Sequence, residues 1–86
     1  MATLPTPEEN AKQVLEIYAH FDSRPGHVLR ASNFVAVAAR WRLRMTDIQQ
    51  GLEYAARLGW IEETENGSLR LTDRGFSAMP QPTRAS

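Results

Sequence analysis

A mainly α-helical fold with one small β-hairpin is what these 86 residues predict, on three observations. Apolar residues recur at helical spacing in three separate stretches, each opening on residues that cap helices. Asn66-Gly67, the strongest short-range hairpin signal, stands between two short apolar runs. Gly59 sits between the third helical stretch and the first of those runs, where a left-handed residue past a helix end is needed.

The elements follow in chain order. Residues 1–6 read as an N-terminal extension. Thr6 at the N-cap, Pro7 at the first helical position and Glu9 at the third satisfy amides that the first turn leaves without partners, and the acid favours the positive end of the helix dipole. Ala11, Val14, Leu15, Tyr18 and Phe21 then form one stripe, and Ser23-Arg24-Pro25-Gly26 ends a first helix over about 7–21. His27 to Arg30 fits a brief extended segment. Ser32 or Asn33 is positioned to cap a second helix over 33–41, with Phe34, Val37, Ala38 and Trp41 on its apolar face. Thr46-Asp47-Ile48-Gln49 reads as another capping box, predicting a third helix from Asp47 to about Leu58. Trp60 to Glu63 and Ser68 to Leu71 are the strands of the hairpin. Thr72 to Phe76 caps a short final turn that returns Phe76 and Met79 to the core, and residues 80–86 read as a disordered tail.

Composition limits the function. The chain has no cysteine, hence neither disulfides nor a thiolate metal site, and hydrophobic packing must hold a single small domain. No segment approaches the roughly 18 apolar residues of a membrane span, and the N-terminus lacks the pattern of a secretory signal, so a cytoplasmic protein without membrane contact is expected. His20 and His27, the two histidines, lie on either side of helix breakers with no recognisable nucleophile, base or ligand spacing. Gly59, Gly67 and Gly75 are spaced for caps and a turn, not for a phosphate cradle. No catalytic activity, cofactor or metal is expected. The net charge of zero is unevenly spread: −3 over residues 8–22, +4 from Arg24 to Arg57, and −1 over 62–86. A basic centre between acidic flanks fits an anionic partner on one face.

The order helix, extended segment, helix, tight turn, helix, hairpin resembles the winged helix-turn-helix domain of bacterial transcription regulators. The residues that carry the resemblance are Leu52, Leu58-Gly59-Trp60-Ile61 entering the hairpin, and Leu71-Thr72-Asp73-Arg74-Gly75 leaving it. It covers about residues 7–76 of a domain assigned to 7–79. The resemblance implies double-stranded DNA as partner, with the third helix in the major groove, in a small regulator of transcription or of a mobile element.

Projected at 100° per residue, the third helix buries Ile48, Leu52 and Ala55 and turns Gln50 and Arg57 outward, with Gln49 and Glu53 on one flank and Asp47 and Tyr54 on the other. Gln pairs with adenine and Arg with guanine in bidentate fashion, so Gln49, Gln50 and Arg57 are the candidates to face bases. Arg42 and Arg44 head the phosphate candidates, joined by Arg40, Thr46 and Arg70. Plainer roles exist for each: Glu53 and Arg57 are spaced for an i,i+4 pair, Arg40 suits a helix C-terminus, and Arg70 is placed to pair with a glutamate across the hairpin. Trp41 completes the apolar stripe of the second helix and reads as core. Glu62, Glu63 and Glu65 depart from the basic hairpin that a minor groove favours. They keep open the alternative of a protein-protein interaction module or adaptor subunit without DNA binding, its partner meeting the acidic hairpin. A homodimer would pair through the first helix or the segment after Phe76.

Overall fold

The computed structural model describes residues 6–79. The tail expected at 80–86 and most of the expected N-terminal extension lie outside the described residues. Among the described residues, four helices and three strands run in the order α1 (Pro7–His20), β1 (Val28–Leu29), α2 (Ala31–Trp41), α3 (Met45–Arg57), β2 (Ile61–Glu63), β3 (Leu69–Leu71) and α4 (Asp73–Ala78).

The first helix begins as its sequence dictates. Thr6 Oγ1 accepts from the Glu9 amide at 3.1 Å, and the Glu9 carboxylate accepts from the Thr6 amide at 2.8 Å. This reciprocal cap is worth about 1 kcal/mol of helix stability. The next two helices start differently from expectation. α2 opens at Ala31, ahead of both proposed caps, and Asn33 acts from inside the first turn, where its Oδ1 accepts from the Arg30 amide at 2.8 Å. α3 opens at Met45, so Thr46 lies within the helix and the Thr46–Gln49 capping box does not form. Arg44 occupies the N-cap without a side-chain bond, and Asp47 supplies the negative charge that the first turn favours. Between them Arg42 takes the left-handed conformation at φ 60°, which lets the Leu43 amide reach back to the Ala38 carbonyl at 2.8 Å.

The brief extended segment after Gly26 becomes a third strand. β1 pairs antiparallel with β3, Leu29 opposite Leu69, and β3 pairs with β2, giving a sheet in the order β1-β3-β2. Asn-Gly is the signal of a two-residue hairpin turn, and the hairpin instead closes with a three-residue loop over 65–67. Thr64 and Ser68 close it through a 2.8 Å bond, the Gly67 amide returns to the Thr64 carbonyl at 3.0 Å, and Gly67 alone has positive φ, at 79°. That is a type I turn followed by a glycine bulge, in which Asn66 need not leave the right-handed region.

α1 and α3 cross closely at Gly51. A Cβ there would collide with the Asn10 carbonyl oxygen and lie 2.6 Å from its carbon. The core gathers Ala11, Val14, Leu15, Ile17 and Tyr18 from α1, Phe34, Val37 and Ala38 from α2, and Ile48 and Ala55 from α3, closed by Leu29, Ile61 and Leu71 of the sheet. Leu52, expected at the centre of the buried side of α3, is only half-buried, because Gly51 takes the position nearest α1. The Tyr18 hydroxyl donates to the Leu69 carbonyl at 2.8 Å and ties α1 to the sheet, and burial pushes its phenol above the ordinary tyrosine range. The final turn forms as expected. Thr72 Oγ1 accepts from the Gly75 amide at 3.0 Å and donates to the Trp60 carbonyl at 2.9 Å, while Phe76 and Met79 pack on the core. No helix among the described residues is long and apolar enough to cross a membrane.

Candidate nucleic-acid interface

α3 presents Thr46, Gln49, Gln50, Glu53, Ala56 and Arg57 to solvent. With Ile48, Gly51 and Ala55 as its buried stripe, helical periodicity puts Glu53 in the middle of the outward face and Gln49 and Gln50 on opposite sides of it. Gln50 is therefore not opposite the core, as the expected Leu52-centred face would have it. Its Oε1 accepts from Asn10 Nδ2 at 2.8 Å, and Asn10 is 5% exposed. Gln50 satisfies a polar group that the α1–α3 crossing buries. It shares a shallow notch with Pro7, Glu53, Tyr54 and Arg57. Gln50 and Arg57 thus come together beside α1, and Gln49 stands apart on the far side of Glu53.

The sequence signal for this arrangement is Gly51. Glycine inside a helix costs about 1 kcal/mol against alanine, and its presence there marks a close approach that sets which face is buried. Asn10 and Glu53, neither of them a candidate from the sequence, are the residues this rotation brings into the site.

Arg40, Arg42 and Arg44 are all exposed and lie along the last turn of α2 and the turn into α3. Arg44 forms a 3.6 Å ion pair with Asp47. Arg40 and Arg42 have no ion pair among the described residues. Thr46, exposed in the first turn of α3, borders the same region. Trp41 between the arginines is half-buried against the core, its ring edge-on to His20 at 5.4 Å, with His20 in turn 5.1 Å from Phe21. It supports the end of α1 instead of offering a stacking platform.

On the hairpin, Arg70 and Glu62 are directly opposed across β3 and β2 and form a 3.3 Å ion pair. This is the cross-strand pairing expected for Arg70, and it partly satisfies that phosphate candidate. The i,i+4 pair between Glu53 and Arg57 does not form among the described residues, which leaves both groups uncommitted. His27 Nδ1 lies 2.7 Å from the hydroxyl of buried Ser23, a contact that stitches the turn after α1. No group of three His, Cys, Asp or Glu side chains among the described residues is placed to hold a metal ion. Comparison with protein-family models, with curated proteins and with solved structures gives no match to this chain.

Proposed function

We propose that this chain is a winged helix-turn-helix protein that binds double-stranded DNA as a small regulator of transcription or of a mobile element, with α3 entering the major groove. The observation that carries the reading is the pair of exposed arginines without ionic partners among the described residues, Arg40 and Arg42, at the turn that leads into α3. Support comes from the element order, with three residues, Arg42 to Arg44, joining α2 to α3, and from a hairpin packed directly behind the third helix. On this reading Arg40, Arg42, Arg44 and Thr46 face phosphates and position the helix, and Gln49 and Arg57 read base edges. Glu53, between them, is suited to accept from the exocyclic amine of cytosine. Gln50 has its oxygen committed to Asn10, and its amide remains available as a donor. Two copies pairing would set two such helices on half-sites about 34 Å apart. The reading assigns no catalytic step, metal or cofactor to the chain.

A second reading, a protein-contact module, is favoured by Glu63 and Glu65, which stand exposed on the hairpin without ion pairs among the described residues. The two readings place the partner on different surfaces. Adding a random-sequence duplex to isotope-labelled protein should move the amide resonances of Thr46, Gln49, Glu53 and Arg57 more than those of Glu62 to Glu65. Perturbation confined to the hairpin would overturn the major-groove assignment.

A further inference from the structure

α2 is apolar on two sides. Phe34, Val37, Ala38 and Trp41 turn to the core. Ser32, Val35, Ala36 and Ala39 recur at the same helical spacing on the other side, and all four are exposed. Between Arg30 at its N-cap and Arg40 in its last turn the helix has no charged side chain. Val35 is 50% exposed and, with Val28 at 38%, makes up the large apolar side chains left open to solvent among the described residues. A helix hydrophobic on both sides is ordinarily covered on both. The two ends of this uncovered face carry opposite charge. Ala31 and Ser32 border the same notch as Asn66 and Gly67 of the hairpin loop, which puts the exposed Glu63 and Glu65 at the N-terminal end, beside Val28. Arg30 is a single base there, and the two glutamates outnumber it. Arg40 and Arg42 stand at the C-terminal end. The eleven residues of α2 hold the two ends about 16 Å apart.

We propose that a second copy of the chain covers this face, its α2 antiparallel to the first about a twofold axis that passes between Val35 and Ala36. In that register Val35 of each copy meets Ala36 of the other, and Ser32 meets Ala39, small side chains that let two helices approach closely. The same twofold brings Arg40 and Arg42 of each copy to Glu63 and Glu65 of the other, so one operation satisfies both ends of the interface. A parallel arrangement would set like charge on like. The pairing covers the arginines that the proposed function assigns to phosphates. It is therefore distinct from a dimer that reads two half-sites, and if the chain binds DNA it is the form held off the duplex. The pairing itself stands on the shape and charge of α2 and does not rest on that function.

Sedimentation of the full chain from micromolar to millimolar concentration should show monomer and dimer and nothing larger, with the dimer weakened by added salt. Val35→Gln with Ala36→Gln, both at exposed positions, should leave the fold intact and raise the dimer dissociation constant by at least about tenfold. Arg40→Glu with Arg42→Glu should be monomeric, and so should Glu63→Lys with Glu65→Lys. An equimolar mixture of these two charge variants should form a dimer again, because each then offers the other the complementary charge at both ends. A parent that stays monomeric at every concentration, species larger than a dimer, a dimer indifferent to the Val35 and Ala36 changes, or a mixture that stays monomeric would overturn the pairing. Where the DNA reading also holds, a duplex should dissociate the dimer. A dimer in a protein that binds no duplex keeps the pairing and removes the DNA reading. Duplex binding by a protein that is monomeric throughout removes the pairing and keeps that reading.

Discussion

The turn between α2 and α3 and the hairpin between β2 and β3 follow one charge pattern with opposite signs. Arg40, Arg42 and Arg44 face a single acid, Asp47, and Glu62, Glu63 and Glu65 face a single base, Arg70. Each region forms one internal ion pair, at 3.6 Å in the turn and 3.3 Å in the hairpin, and each is left with two uncompensated like charges. The zero net charge of the chain is therefore a sum of opposed patches. Screening limits the reach of exposed charges to about 8 Å at physiological ionic strength, so a polyanion responds to the patch it meets and not to the total. A duplex approaching as proposed would meet the arginine turn as the favourable end of the molecule and the hairpin as the unfavourable one.

Both patches ride on one core, and the largest expected effect comes from removing what holds them together. Ile48 is 1% exposed and packs α3 against α1, so Ile48→Ala should cost on the order of 2–5 kcal/mol. Leu52→Ala, at a half-buried position, should cost clearly less; equal losses in chemical denaturation would show that α3 buries the face centred on Leu52. Next comes the joint between hairpin and α4. A Cβ on Gly75 would collide with the Trp60 carbonyl oxygen and lie 2.9 Å from Leu71 Cδ1, so Gly75→Ala should destabilise by about 1–3 kcal/mol. For a domain of this size that lowers Tm by about 4–8 °C per kcal/mol, and an unchanged Tm would mean that hairpin and α4 separate freely.

Charge reversal on the hairpin sharpens the comparison more gently. Glu63→Lys with Glu65→Lys should strengthen duplex binding and steepen its salt dependence, by about 0.9 in slope for each new phosphate contact. Binding unchanged by the double variant would place the hairpin away from the duplex altogether. The smallest effect belongs to the exposed pair. Arg70→Ala breaks the contact with Glu62 and should lower stability by only about 0.2–1 kcal/mol, measured by thermal unfolding.

What was legible in the sequence divides by range. The start of α1 could be read because Thr6, Pro7 and Glu9 act within one turn, and so could the final cap, where Thr72 and Gly75 are three residues apart. The starts of α2 and α3 could not, since Arg30 and Arg44 occupy the N-caps and an arginine side chain has no acceptor to signal the role. The pairing of Val28–Leu29 with β3 joins segments some forty residues apart, and two residues are too short a pattern to announce a strand. The hairpin was legible and its loop was not: Asn-Gly marks a turn, while the Thr64–Ser68 closure decides its length. In the candidate site, the exposed arginines follow from polarity alone. The orientation of Gln50 depends on a tertiary contact with Asn10, which periodicity within α3 does not contain.

The central claim, that the Arg40 to Arg44 end of the molecule meets the phosphates of a duplex, is tested most directly by the salt dependence of binding. Affinity for a random-sequence duplex should be measured from low to physiological salt for the parent and for Arg40→Ala with Arg42→Ala, both shown to be folded. The account predicts a linear fall of log K with log salt in the parent, and a slope shallower by about 0.9 for each arginine removed. A folded parent that binds no duplex at low salt, or a double variant with the parental slope, would contradict it.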